Sequence, residues 1–354
     1  NSFCTLLANT MAQTIRIVHL SDTHSCHGEI EQRFGPLPPA DVLLHTGDFT
    51  NDGTDEELAA FDAWLASVGD RYSAVAVIPG NHDWRGALHG LAQGTLDAAT
   101  VNSGKYLKDR LPHATVLMHE TLEWGGLRIF GSAWDPWQCS ADPDRSTVDQ
   151  HKPGSALTAA VFGRRKAWEA FAAAEASSNA PKKEADGDDE DPSDTAADAA
   201  SLLHPAHRMR LIPADTDVLL THGPARGIMD DVEGSHTAWG SSLFLRRAIE
   251  ASRVRCHLFG HMHEQRGVWQ RRDPTEPYTG GVEYCVRDGE PPTSTPPPPP
   301  AGDPYPCRLI CCNAQLNHTG IEGISQKYTG APRLIIAFRD ADDEPWAFRV
   351  VAHF

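Results

Sequence analysis

A chain of 354 residues, 40% of them hydrophobic, can bury a sizeable core as one large α/β domain or as two smaller ones. Its formal charge of −17 argues against a nucleic-acid polymer as partner, because such binders carry a basic face that releases counterions from phosphates. Part of the excess is local, since residues 181–200 hold two Lys against eight Asp or Glu, yet the remainder still carries −11.

Residues 1–14 read as a flexible leader, with Met11 just ahead of the first apolar run. Residues 15–20, 41–45, 74–78, 217–220 and 256–259 are short and rich in Val, Ile or Leu, as buried strands are. Each stops abruptly at a polar cluster: Asp22-Thr23-His24, Gly47-Asp48, Gly80-Asn81-His82-Asp83, Thr221-His222-Gly223 and Gly260-His261-Met262-His263. Between the second and third, residues 54–68 have helical spacing at Leu58, Phe61, Trp64, Leu65 and Val68, with Thr54 as cap and Glu57 three residues on. Residues 127–134 read as another strand and 238–251 as a helix.

Two segments depart from this pattern. Residues 172–201 consist largely of Ala, Ser, Asp and Glu, and residues 288–306 carry the run Pro296–Pro300. Neither buries enough apolar area to offset its ordering entropy, so both are expected to be disordered insertions in a single domain over 15–354. The proline run suits an SH3- or WW-type partner or a plain linker. The eight cysteines form no C-x-x-C pair and are expected as free thiols, with a soft-metal site at Cys307, Cys311 and Cys312 the weaker reading. No run has the length of a membrane span or of a signal-peptide core, so a soluble cytoplasmic protein with no membrane partner is expected.

In open α/β sheets ligands bind beyond the carboxyl ends of the strands, so the five polar clusters should converge. Asp22 and His24, like His261 and His263, stand two residues apart, and on extended backbone they point the same way. Asp48 offers two carboxylate oxygens, which can bridge two cations, while Asn81 offers a neutral oxygen and His222 a nitrogen. Two metals about 3.5–4 Å apart form a clamp suited to in-line displacement at phosphorus. Two divalent ions, the Asp22 and Asp48 carboxylates and one hydroxide sum to about +1, so an acidic protein can own a cationic pocket for a small phosphate ester.

The order D-x-H, G-D, G-N-H-D, H, G-H-x-H resembles the calcineurin-like metallophosphoesterase superfamily over residues 15–263. The stretches Asp41-Val-Leu-Leu-His-Thr-Gly-Asp-Phe-Thr50, Gly131-Ser-Ala-Trp-Asp-Pro-Trp137, Leu219-Leu-Thr-His-Gly-Pro224 and Leu258-Phe-Gly-His-Met-His-Glu264 are most similar to the metallophosphoesterase-domain-containing (MPPED) group, near class III cyclic-nucleotide phosphodiesterases. The resemblance implies a four-layer α/β/β/α sandwich of two packed mixed sheets flanked by helices. It implies that Asp22, His24 and His263 hold one metal, that Asn81, His222 and His261 hold the other, and that Asp48 bridges them. His82 then faces the substrate phosphate and leaving oxygen, where a protonated imidazole would neutralise developing charge. Mn²⁺ is the expected ion at both sites, with Fe and Zn²⁺ also fitting the donor set.

After Asp48 the chain reads Phe49-Thr50-Asn51-Asp52-Gly53 and lacks the Arg of the G-D-x-V-D-R-G pattern, which disfavours a protein phosphatase. Some animal members of the group replace the first His of G-H-x-H and are weak enzymes; His261 is intact, which implies full two-metal occupancy. The expected activity is hydrolysis of a small phosphodiester, a cyclic nucleotide foremost, by a metal-bridging hydroxide. Phosphomonoester hydrolysis and a non-catalytic metal-binding scaffold are the alternatives. Trp134 and Trp137 either wall the pocket and stack a base or serve packing, Arg226, Asp230 and Asp231 either line the mouth or are plain surface charges, and His45 is a candidate for orienting a ligand.

Overall fold

A computed structural model describes residues 12–133, 212–225, 228, 243–262, 267–271, 309–313, 332–342 and 344–351. The two expected insertions, His263, Trp134, Trp137, Arg226, Asp230 and Asp231 lie outside them. Twelve strands among the described residues form two sheets. The first contains β1 (Gln13–Leu20), β2 (Val42–His45), β3 (Ala74–Val77), β4 (Thr115–Val116), β11 (Arg333–Arg339) and β12 (Ala347–Val351), in the order β12-β11-β1-β2-β3-β4. The second contains β5 (Glu120–Trp124), β6 (Leu127–Ser132), β7 (Val218–Thr221), β8 (Cys256–Phe259), β9 (Gly267–Arg271) and β10 (Leu309–Asn313), in the order β5-β6-β7-β8-β10-β9. Both are mixed: β1 to β4 run parallel beside the antiparallel β11 and β12, and β6, β7, β8 and β10 run parallel between antiparallel edges.

Side chains alternate across each strand, so each sheet buries two faces. Ile15, Ile17, Val42, Leu44 and Ala76 point into the gap between the sheets and meet Ile129, Val218, Leu220, Cys256 and Leu258 from the other side. Val18, Leu20, Leu43 and Val77 point outward beneath the helix at Asp55–Gly69, whose Leu58, Phe61, Trp64, Leu65 and Val68 form one apolar stripe. On the far side, Phe130, Leu219 and Phe259 pack against Leu245 and Ile249 of a helix at Leu243–Ala251. The result is the expected four-layer α/β/β/α sandwich.

The helix at Asp55–Gly69 begins where its sequence says it should. Thr54 Oγ1 accepts the Glu57 backbone N–H at 3.2 Å, and the Glu57 carboxylate accepts the Thr54 N–H at 3.2 Å, which is a complete capping box. Phe61 lies on the stripe fully buried, and its ring stacks on Phe49 with centroids 4.4 Å apart. Phe49 follows Asp48 directly, so the packing of this helix also fixes a site loop. One expectation needs correction: β1 starts at Gln13, pairing Gln13 with Arg339, so the last two residues assigned to the leader are strand. Among the described residues no helix is long and apolar enough to cross a membrane, and Cys26 and Cys256 are thiols.

Candidate metal centre

The loops that follow β1, β2, β3, β7 and β8 meet at one end of the sandwich and are laced together by backbone hydrogen bonds. Asp22, His24 and Ser25 donate their N–H groups to the carbonyls of Gly47, Asp48 and Phe49 at 2.9, 2.9 and 3.0 Å, which ties the first two loops. Gly260 donates to the His222 carbonyl at 2.9 Å, which ties the last two. Side chains join the two sheets: the His261 N–H lies 3.1 and 3.0 Å from the two Asp22 carboxylate oxygens, and His222 Nδ1 donates to the Thr46 carbonyl at 2.8 Å.

This lacing bends the backbone sharply at the candidate ligands. Asp22, His24, Asp48 and His261 have φ of 53°, 42°, 53° and 66°, in the left-handed region that non-glycine residues seldom enter. Such strain persists only where surrounding bonds over-determine it, and it collects at functional sites. Gly260 serves a different need. A Cβ there would overlap Ser21 Oγ and Asp22 Oδ2, so only glycine lets the last loop come down onto the Asp22 carboxylate.

Two groups of donor atoms result, each within 4.8 Å: His24, Asp48 and the half-buried His82 in one, and the buried Asp48, His222 and His261 in the other. Asp48 is common to both. Asp22 Oδ1 stands 3.9 Å from His24 Nε2, on the side of the first group, and Asn81 Oδ1 stands 3.1 Å from His222 Nε2, on the side of the second. Six of the expected ligands therefore converge, and the seventh, His263, lies outside the described residues.

The donor set fits a cation. Because His222 Nδ1 donates to Thr46, a neutral His222 would present the Nε2 lone pair to Asp48 Oδ2 at 3.2 Å and to Asn81 Oδ1 at 3.1 Å, three acceptor atoms facing one another. A positive charge among them is favoured. Although burial disfavours the charge, Asp48 draws a proton onto His222 and raises its pKa to about 9. A divalent ion would take that proton's place. Asp48 is likewise fully buried, which opposes its ionisation, yet His222, His82 and His24 hold it well below the usual carboxylate range.

Three supporting residues gave weaker signals in the sequence. Asp83 is fully buried and accepts four hydrogen bonds, from the Asp48 and Gly80 N–H groups on Oδ2 at 2.8 Å each, and from the Thr50 N–H and hydroxyl on Oδ1 at 2.9 and 2.7 Å. It thus clamps the second loop to the third. Burial and the nearby Asp48 charge push its pKa up to about 7. Glu57, expected only as a helix cap, also accepts Ser25 Oγ and the N–H groups of Asn51 and Asp52, each at 3.0 Å, joining the first loop to the second. Arg85 donates to His82 Nε2 at 3.2 Å. The only hint of it was its place three residues after His82. His45 does orient the site: it accepts the Gly47 N–H on Nδ1 at 3.2 Å, and its Nε2 donates to Thr23 Oγ1 at 3.1 Å.

His82 differs from expectation. Its Nδ1 must donate to the Asn51 carbonyl at 2.6 Å and its Nε2 must accept from Arg85, so both ring nitrogens are committed in a neutral imidazole. Burial lowers its pKa, with Asp48 opposing and Arg85 reinforcing the shift.

Comparison with known proteins finds similarity to phosphoesterases over part of the chain. The calcineurin-like phosphoesterase model matches residues 15–175. Human metallophosphoesterase domain-containing protein 1 is 27% identical over 285 residues, spanning 78% of this chain and 68% of that protein. A UPF0046 protein of Caenorhabditis elegans is 26% identical over 264 residues, spanning 74% of this chain and 68% of its own. Among solved structures, phosphopantetheinyl hydrolase from Mycobacterium tuberculosis matches with a TM-score of 0.40 and 17% identity, covering 73% of this chain and 86% of that one.

Proposed function

We propose that this chain, which carries a calcineurin-like phosphoesterase domain and resembles the metallophosphoesterase-domain-containing group, is a two-metal hydrolase of small phosphodiesters, with cyclic nucleotides the foremost substrate class. The observation that carries the reading is the buried Asp48, whose carboxylate belongs to both groups of donors. In this assignment Asp22, His24 and His263 hold one ion, and Asn81, His222 and His261 hold the other. Two divalent ions bound there would supply charge against the phosphoryl oxygens and make a water molecule acidic enough to act as nucleophile near neutral pH.

The chain's own groups supply the rest. His222 is aimed by its bond to Thr46, Asp48 by the Asp83 clamp on its backbone, and Asp22 by the His261 N–H. Held this way, the donors need little rearrangement when charge develops on the substrate. The test is turnover of a bis-aryl phosphate against a mono-aryl phosphate by protein reconstituted with Mn²⁺. Faster turnover of the diester supports the reading. Turnover of the monoester alone moves the assignment to a phosphomonoesterase, and turnover of neither, with metal bound, leaves a scaffold.

A further inference from the structure

We propose that two buried histidines outside the donor set, His19 in one sheet and His257 in the other, are positioning residues for His222 and set the affinity of the metal site it serves. The inference rests on the two-metal reading above. His222 joins the two sheets: it follows β7, its carbonyl accepts the Gly260 N–H at 2.9 Å, and its ring reaches across to the Thr46 carbonyl at 2.8 Å. A ligand held from both sides is only as fixed as its supports. On each side the support includes a threonine, and each threonine is bonded to one of these histidines.

On the backbone side, the Thr221 hydroxyl donates to the Gly223 carbonyl at 2.6 Å, which closes a tight loop around His222. Having given its proton there, the hydroxyl can only accept from His257 Nε2, 2.8 Å away. On the ring side, His19 Nε2 is bonded to Thr46 Oγ1 at 2.9 Å, and the Thr46 N–H donates to the Leu20 carbonyl at 2.9 Å, so the residue whose carbonyl aims His222 is tied to β1 at two points. All four side chains are buried, and burial lowers the pKa of His19 well below its ordinary value and that of His257 to about 3, so both rings are neutral. Packing alone does not account for them. Nδ1 of each ring is buried with no hydrogen-bond partner among the described residues, and such an orphan acceptor weakens a fold. A Phe ring would leave no orphan. What only the histidines supply is the bond from Nε2 to the threonine, and a group that orients a metal ligand in this way is typically worth about 10–100-fold in metal affinity.

The experiment titrates Mn²⁺ into the metal-free full chain by isothermal calorimetry and follows urea unfolding of the same metal-free samples. His257→Phe and His19→Phe should each weaken one of the two Mn²⁺ sites by about 10–100-fold, while the metal-free chain keeps its urea midpoint. His257→Gln, whose amide nitrogen can donate in place of Nε2, should bind Mn²⁺ nearly as tightly as the unaltered protein. A Phe variant that leaves both sites unweakened overturns the role of that histidine, and a loss that His257→Gln shares in full overturns the assignment of Nε2 as its cause.

Should a Phe variant lose its unfolding transition, the threonine partner carries the test. Thr221→Val removes the hydroxyl at nearly constant shape and should reproduce the weakened site, whereas Thr221→Ser should not. Where His257→Phe folds, its combination with Thr221→Val should lose no more than the worse of the two alone, because both break one chain of bonds. Equal affinity in Thr221→Val and Thr221→Ser, or additive losses in the double variant, overturn the proposal. The two-metal reading fails separately, when the unaltered chain binds fewer than two Mn²⁺ ions. With one ion bound, the same comparisons on that site still decide the proposal, and with none bound it falls too.

Discussion

Replacing Gly47 by Ala tests whether the strand-end loops form one rigid assembly. Gly47 has φ of +100°, and a Cβ built on it would stand 2.6 Å from Gly80 N, 2.7 Å from Gly80 Cα and 2.7 Å from His222 Nδ1. Ordinary contacts begin near 3.4 Å, so the loops bearing Asp48, Asn81 and His222 must part by about 0.7 Å or more, and neither backbone nor a hydrogen-bonded ring yields easily. The backbone conformation costs about 1–2 kcal/mol for a residue with a Cβ, and overpacking adds about 1–3 kcal/mol. A total loss of about 2–5 kcal/mol in urea unfolding is expected. The displacement also breaks the His222 bond to Thr46, and a shift near 1 Å costs on the order of 10² in rate. Stability within about 0.5 kcal/mol of the unaltered protein, with full metal content and turnover, would refute the reasoning.

Phe49→Ala removes the ring stacked on Phe61 behind the Asp48 loop and should cost about 3–5 kcal/mol, read from the urea midpoint, with metal affinity weakened as the loop loosens. His257 is fully buried, and burial lowers its pKa to about 3; its Nε2 donates to Thr221 Oγ1 at 2.8 Å. Its folded pKa lies below its unfolded value of 6.5, so the unfolded chain takes up the proton first and stability falls as pH drops from 6.5 toward 3. Between pH 7.5 and 5.5 this residue alone should remove about 1.4 kcal/mol, and urea titrations of His257→Gln should show that much less pH dependence. Chelation should lower the unfolding temperature, since ions that bind only the folded chain stabilise it by about 2.7 kcal/mol per site at one hundred times Kd; calorimetry before and after Mn²⁺ is restored reads the difference.

What the sequence disclosed was the part encoded locally. Runs such as Val42–His45 and Cys256–Phe259 are buried on both faces and can hardly be anything but interior strands, and the polar residue ending each one marks the crevice. The Thr54 and Glu57 capping box is a four-residue signal and was equally plain. Contacts made across the chain were not. Glu57 reaches Ser25, 32 residues away, and Asp83 reaches Asp48, 35 residues away, and neither contact has a periodicity or spacing that announces it. His82 shows the limit most clearly. Its type and place in Gly80-Asn81-His82-Asp83 were readable, but its protonation depends on Arg85 and the Asn51 carbonyl, whose directions only the folded backbone sets.

The proposed function requires the five loops to hold two ions about one shared carboxylate. Crystals of the metal-reconstituted protein, measured by anomalous scattering at the metal edge, test it directly. Two anomalous peaks about 3.5–4 Å apart are expected, with an Asp48 carboxylate oxygen bonded to both. A single peak, or two peaks that do not share Asp48, would contradict it.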